Sequence, residues 1–257
     1  MSTLGEGKRA DMRIITRKTL IATAVAATAV ALTAAPASAD SVTIQNGGYI
    51  EGTNVGDFLF LNNTSGSAVQ CASLEATGYT PKDPATGEPI VDGPLLGAPF
   101  TFDNVALSSP GQVNDWCLAN GFIPTQVTAM GVPWSFDLAG GHTGSGPGGT
   151  MDGRLNNVKV TLHAPSVPCD ATVGGPGGAG GYVEGMYTNP STLTGNDGTI
   201  SLPFGSTNNL EVLSVSSVTD CAGLISFGEP FTLAGDIQVN RTGPVPPAAG
   251  ISPTINF

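Results

Sequence analysis

The 257-residue chain carries a formal net charge of −11 at pH 7, with 9 basic and 20 acidic residues. Binding to nucleic acid or to an anionic membrane surface needs clustered lysine and arginine, so this composition argues against both partners. The acidic residues are scattered singly, which indicates a solvated acidic surface, with a Ca²⁺ site or a basic partner as the alternative.

Residues 1–39 are predicted to be a signal peptide. A basic stretch at 13–18 precedes a mostly apolar run at 20–32, and the small residues at 37–39 fit a cleavage site. The run is shorter than the roughly 20 residues that a membrane span needs. We therefore expect export and cleavage, a mature chain that begins at Asp40, and no transmembrane segment after cleavage.

The leader also bears on the start of the chain and on its charge. Met12 directly precedes the basic stretch, so we interpret Met12 as the start of translation and residues 1–11 as a mis-assigned extension upstream of it. Outside the leader the net charge is −14, because 18 acidic residues oppose only four basic ones. The basic residues are Lys82, Arg154, Lys159 and Arg241. We expect the mature protein to be secreted, either extracellular or loosely associated with the cell wall.

All four cysteines lie in the predicted mature chain: Cys71, Cys117, Cys169 and Cys221. An even number of cysteines in an exported chain indicates two disulfides. Three pairings are possible, and we favour the sequential one, which closes two loops of similar length. No two cysteines have the close spacing of a zinc-binding pair.

The first half of the mature chain reads as short strands between turns. Residues 42–45 and 48–51 flank Asn46-Gly47, a pair that tolerates positive φ and predicts a hairpin. Residues 58–61 are apolar on both faces, as in the centre of a sandwich. Residues 80–99 contain too many prolines for a central strand and are predicted to form a long loop.

Three later segments begin with proline and continue as alternating aromatic, hydroxyl and apolar residues. They start at Pro99, Pro133 and Pro230. Because proline can open a strand but does not fit inside one, each is predicted to mark the start of a strand.

Glycine-rich stretches at 140–149 and 174–181 are predicted to be loops, and the first could separate two halves of the domain. Between them, residues 155–163 are predicted to form a strand, with Val158, Val160 and Leu162 facing inward. A strand at 210–218 slips in phase between Val212 and Leu213, which predicts a β-bulge.

The strongest alternation is at 231–239, where Phe231, Leu233, Ile237 and Val239 share one face. We therefore predict an all-β fold for residues 40–240: an antiparallel β-sandwich, jelly-roll-like, with two disulfides. Residues 241–257 are predicted to be a proline-rich C-terminal segment.

The sequence offers little catalytic chemistry. His142 and His163 are the only histidines, and no nucleophile elbow, HExxH or P-loop motif occurs. Some of the 18 acids could form a glycosidase pair, an observation of low specificity. Oxygen-rich turns at 52–57, 152–153 and 196–198 could hold Ca²⁺, but none has EF-hand spacing. No catalytic, cofactor-binding or metal site is therefore predicted.

Four residues are weak candidates for a ligand-binding surface: Trp116, Tyr182, Tyr187 and His142. Aromatic side chains can stack on sugar rings or anchor a protein partner. For Trp116 the alternative is packing on the disulfide of neighbouring Cys117.

Several segments resemble a group of small secreted actinobacterial proteins that are rich in Gly, Ala and Thr and have four cysteines, with no assigned function. The segments, which fall within about residues 98–240, are 131–134, 151–155, Cys169, 219–225 and 231–235. The resemblance implies an exported β-rich domain and no site residues. The sequence thus favours an extracellular or cell-surface binding or structural module for a glycan or protein, over a carboxylate-dependent hydrolase or an enzyme inhibitor.

Overall fold

The computed structural model describes residues 42–216, 221, 224–243 and 249–257. The predicted signal peptide lies outside these residues, as do most of positions 219–223 of the resemblance. Short 3-10 turns occur at Val113–Asp115 and Pro176–Gly178. No helix in the described ranges has the length and hydropathy that crossing a membrane requires. The strands within those ranges are β1 Thr43–Gln45, β2 Tyr49–Asn62, β3 Ala68–Cys71, β4 Ser73–Tyr79, β5 Gly93–Pro94, β6 Phe100–Ser108, β7 Cys117–Ala119, β8 Ile123–Met130, β9 Trp134–Thr143, β10 Thr150–Ala164, β11 Cys169–Gly174, β12 Gly181–Thr188, β13 Thr199–Leu202, β14 Glu211–Val215, β15 Phe231–Arg241 and β16 Thr254–Asn256.

Eight strands form a closed circuit of antiparallel pairing. In chain order, β2, β4, β6, β9, β10, β12, β13 and β15 each pair with the next, and β15 pairs back with β2. Closure leaves these strands with hydrogen-bonding partners on both sides. The interior is filled by large side chains: Phe100 of β6 meets Tyr187 of β12, with ring centroids 4.7 Å apart.

The longest strands continue beyond this circuit into a second one. The C-terminal half of β2 pairs with β3, and that of β10 pairs with β8 and β11. Through β7 and β14 the pairing returns to the start of β15, where a bridge joins Glu211 and Pro230. One hydrophobic core runs through both circuits, since its buried residues include Tyr187 in the first and Val69 in the second.

The predicted all-β antiparallel fold with two disulfides is confirmed. Cys71 pairs with Cys117, and Cys169 pairs with Cys221, with a Cα–Cα distance of 4.5 Å in each. The sequential pairing is therefore correct. Cys71 and Cys117 lie on the adjacent strands β3 and β7 and are fully buried.

The prolines open strands as predicted. β6, β9 and β15 begin directly after Pro99, Pro133 and Pro230, respectively. The first two of these strands pair in register, with Phe100 opposite Phe136. Their aromatic side chains fall on the inner face because both strands start in the same phase.

The predicted bulge at the phase slip is also confirmed. Val212 pairs with Val173 of β11, but the next pair along joins Ser214 to Thr172. Leu213 is thus the extra residue, which is how a β-bulge shifts the alternation of a strand.

The predicted hairpin at Asn46-Gly47 is wrong. Asn46 does have a positive φ of 58°, but β1 pairs with β16 and β5, whereas β2 pairs with β4 and β15. The amide of Gly47 donates to Val91 O over 2.8 Å. The turn therefore passes the chain from a small three-stranded sheet into the large one, and does not fold β1 onto β2.

The glycine-rich stretch predicted to be a loop and the proline-rich C-terminal segment both take part in regular structure. The glycine-rich stretch at 140–149 contains the end of β9 and the start of a hairpin connection to β10, and these two strands pair with each other. In the proline-rich segment, β16 pairs with β1 and Ile255 is fully buried. Both segments thus contribute contacts to the sheet system.

Candidate functional site

The strongest candidate site is a polar groove on the outer face of β9, β10 and β12, which we call the Arg154 groove. Alternation along β10 places Met151, Gly153 and Leu155 inside and Arg154 outside. Strand register then sets Glu184 of β12 on one side of Arg154 and Asp137 of β9 on the other. The groove is lined by Asp137, Leu138, Ala139, Asp152, Gly153, Arg154, Asn156, Glu184, Gly185, Met186, Pro203 and Ser206.

The guanidinium of Arg154 is held from two directions. Its Nη2 and Nε donate to Glu184 Oε1 over 2.8 and 3.2 Å. Its central carbon lies 4.7 Å from the ring centroid of Tyr182. Both charged side chains are substantially exposed, so the ion pair contributes little stability. Its effect is to fix the direction of a planar donor, and Nη1 remains outside this ion pair.

The charge of Glu184 follows from this geometry. The hydrogen bond from Arg154 is the largest cause that lowers the pKa of this carboxyl, and a hydrogen bond with Thr207 adds to it. Glu184 is therefore an ionised acceptor at neutral pH.

A second hydrogen-bonded pair, Asn156 and Asp137, lies next to the Arg154–Glu184 ion pair. Asn156 Nδ2 donates to Asp137 Oδ2 over 2.8 Å, and both side chains are half-buried. Asp152 is exposed on the same face of β10. The groove thus combines three carboxylates with one guanidinium, and its local charge is negative.

The three carboxylates do not form a metal site. Within the described part of the chain, no group of three or more His, Cys, Asp or Glu side chains is arranged to hold an ion. In the oxygen-rich turn at 196–198, Asp197 instead accepts a hydrogen bond from Ser191 N over 3.0 Å. Hydrogen bonding from the Ser191 side chain, followed by that from its backbone, lowers the pKa of Asp197. That carboxylate orders its own loop.

The predicted ligand residues are dispersed. Tyr182 does not line the Arg154 groove, but its ring packs against the Arg154 guanidinium. The prediction of a surface position for Tyr187 is wrong, since its ring is fully buried. His142 stacks on the C-terminal Phe257, with centroids 4.0 Å apart. Trp116, half-buried, meets the ring of His163 edge-on at 6.0 Å.

His163 has a partner of its own. Its Nδ1 lies 2.5 Å from Asp170 Oδ1 on the neighbouring strand β11, and both side chains are exposed. This pair, with Trp116 beside it, forms a small surface cluster away from the groove lining.

No sequence pattern singled out Asp137, Arg154, Asn156 and Glu184 as site residues. One signal was available: Arg154 is one of four basic residues outside the predicted leader and lies on the polar face of an alternating segment.

Comparison with known proteins gives no further guidance to the site. No protein-family profile, curated protein or solved structure matches the chain.

Proposed function

We propose that the protein is an extracellular binding module whose Arg154 groove binds a neutral, hydroxyl-rich ligand, a glycan. The observation that carries this proposal is the fixed donor–acceptor array, in which Arg154 lies between Tyr182 and Glu184 and next to the Asp137–Asn156 pair. The two disulfides, together with the predicted signal peptide, support an extracellular location, because disulfides persist in oxidising compartments.

Hydroxyl groups match this array because each one can donate and accept a hydrogen bond at once. A sugar hydroxyl can donate to the Asp137 or Glu184 carboxylate while it accepts from Arg154. The array is carried on paired strands, so little order has to be gained on binding.

The local charge favours a neutral ligand over an acidic one. Three carboxylates repel an anionic polysaccharide, and one guanidinium that is already paired with Glu184 cannot offset them. A basic ligand would be attracted by charge alone, but it would leave the donors of Arg154 unused.

Arg154→Ala should weaken binding of a neutral polysaccharide by about 10- to 100-fold, since a charge-assisted hydrogen bond contributes about 1.5–3 kcal/mol. Cellulose, chitin, mannan and dextran provide neutral probes, and pectin provides an anionic one. Retention is measured by sedimentation with the polysaccharide and by calorimetry with soluble fragments.

Lys159→Ala is the matched control. Lys159 lies on the same strand and carries the same charge, but it donates to Gly178 O and does not line the groove. We expect the affinity of Lys159→Ala for the neutral polysaccharide to stay within about 2-fold of wild type, because an exposed charge outside the groove contributes little. Equal losses in the two variants, or stronger retention on pectin than on neutral polymers, would contradict the proposal.

The pH dependence of binding follows from Glu184. Its pKa is lowered, so the carboxylate stays ionised as the pH falls through the usual carboxyl range and takes up a proton only below it. The affinity difference between wild type and Glu184→Gln should therefore persist from pH 7 through the usual carboxyl range and shrink only below that range. A difference that already fades as the pH falls from about 5 to 4, the usual range of a free glutamate carboxyl, would show that Glu184 is not held by Arg154 in solution.

A secreted glycan hydrolase is the second candidate, and the observation that favours it is that the ionised Glu184 lines the same groove as Asp152. An ionised carboxylate can serve as a nucleophile or base if a second carboxyl protonates the leaving group. Release of reducing sugar from the retained polymer, measured over hours, separates the two functions. Turnover that Glu184→Gln abolishes would replace the binding proposal with this one.

A further inference from the structure

A second site is indicated at Arg241, the last residue of β15. The residue is only 4% exposed. Its backbone is paired, because its N–H donates to Ile251 O and its carbonyl accepts from Gly250 N. The side chain lies over Gly48, where a Cβ would come within 3.3 Å of the Arg241 Nε.

The guanidinium of Arg241 is short of partners. Its Nε and Nη1 are buried, and neither has a hydrogen-bond acceptor among residues 42–216, 221, 224–243 and 249–257. The ion pairs in those ranges are Arg154–Glu184 and His163–Asp170, so neither involves Arg241. An arginine cannot shed its proton in a protein. Among the residues that the structure describes, this buried positive charge therefore has no counter-charge, and a buried charge without one is costly.

Arg241 lines a cavity of about 250 Å³. Its other lining residues are Gly48, Tyr49, Glu88, Pro89, Val91, Thr242 and Gly243. Glu88 is the one acidic member; it is exposed, and its Oε2 accepts a hydrogen bond from the Tyr49 hydroxyl over 3.3 Å. The walls otherwise offer mainly carbon. No lining residue is shared with the Arg154 groove.

We propose that this cavity binds a small organic acid: a carboxylate that pairs with Arg241, carried by an apolar body that fills the rest of the space. The carboxylate supplies the missing counter-charge, and guanidinium and carboxylate are complementary in shape and charge. The apolar walls give the body of the ligand a place that an inorganic anion would leave unfilled. The site is independent of the proposed glycan groove.

The rival occupant is Glu88 itself, which could turn inward and pair with Arg241. The two readings differ in the effect of Glu88→Gln. If an external acid is the partner, removal of a like charge from the rim strengthens its binding. If Glu88 is the partner, the same variant leaves Arg241 unpaired and lowers the melting temperature.

Benzoate tests the proposal, with benzamide as the neutral molecule of the same shape. Binding to the oxidised protein is followed by NMR titration and by the melting temperature at constant ionic strength. Benzoate should bind saturably, with a dissociation constant on the order of 1 mM for so small a ligand, and should raise the melting temperature. Benzamide should bind at least about 10-fold more weakly, since it lacks the charge.

Two variants complete the test. Arg241→Met should bind benzoate at least about 10-fold more weakly than wild type and should melt at the same or a higher temperature, because an unpaired buried charge has been removed. Glu88→Gln should bind benzoate more tightly than wild type. Equal binding of benzoate and benzamide by wild type overturns the proposal, and so does a melting temperature of ligand-free Glu88→Gln that is lower than that of wild type. Both results are available even if Arg241→Met does not fold.

Discussion

Replacing Cys71 and Cys117 together with alanine should lower the free energy of unfolding by about 4 kcal/mol. The two residues are 46 positions apart, so the disulfide removes much of the freedom of the unfolded chain, on the loop-entropy account. Both residues are also fully buried between neighbouring strands. The loss is measured by urea unfolding of the oxidised variant beside wild type.

The second disulfide provides the control. Cys169 and Cys221 are 52 positions apart, a similar loop, so loop entropy predicts a similar loss of about 4 kcal/mol when both are alanine. These cysteines belong to a small separate cluster with Ile123 and Ala164, whereas Cys71 and Cys117 belong to the main core. The first double variant should therefore be the less stable one. Unfolding midpoints that are unchanged in both variants would show that neither bond constrains the chain.

Features that depend on local pattern could be predicted from the sequence. Strand starts after Pro99, Pro133 and Pro230 follow from the missing N–H of proline, which any β-fold must accommodate. The bulge at Leu213 follows from one extra residue in a two-residue alternation. Both inferences hold whichever strands become neighbours.

Strand partners could not be predicted in the same way. Asn46 adopts the positive φ that its turn predicts, yet the strands on its two sides join different sheets. One of the two partners of β1 is β16, more than 200 positions away in the chain. Local turn chemistry is satisfied in either arrangement, so only the long-range packing decides between them.

The Arg154 groove likewise depends on how distant strands align, which local sequence does not determine. Asp137, Arg154 and Glu184 come together because three strands align at one level. A shift of one residue in any of them would turn its side chains to the other face. The sequence shows three polar positions but not their alignment.

The error at Tyr187 was avoidable. Tyr182 and Tyr187 lie five positions apart on β12, and residues an odd number apart on a strand point to opposite faces. One of the two had to be buried if the other was exposed. Val183 and Tyr187 point inward, while Tyr182 and Glu184 point to the outer face, where both contact Arg154.

Tyr187→Ala should lower the free energy of unfolding by about 4 kcal/mol, the loss typical of a large aromatic removed from a core. Its ring packs against Phe100 at 4.7 Å. Its hydroxyl donates to Pro253 O over 2.6 Å and so holds the C-terminal segment that precedes β16. Urea unfolding of the oxidised variant measures the loss, and limited proteolysis should show earlier cleavage near residue 253.

Tyr187→Phe separates the hydroxyl from the ring. It keeps the aromatic packing and leaves Pro253 O without its donor, so about 1–2 kcal/mol should be lost. Asn189 should limit the damage, because it exchanges two hydrogen bonds with the backbone of Ile255, at 2.7 and 2.8 Å. A loss as large as that of Tyr187→Ala would mean that the C-terminal segment depends on the hydroxyl alone.

Wild type and Tyr187→Phe should also differ in how their free energy of unfolding falls at alkaline pH. Burial, followed by the charge of Asp197, raises the pKa of Tyr187 in the folded state. The unfolded chain ionises this phenol near its usual pKa of about 10, while the folded chain keeps it neutral. The contribution is therefore complete below pH 10 and is lost progressively as the pH rises above it. Stability should fall less steeply above pH 10 in Tyr187→Phe than in wild type, whereas equal slopes would mean that the phenol reaches solvent.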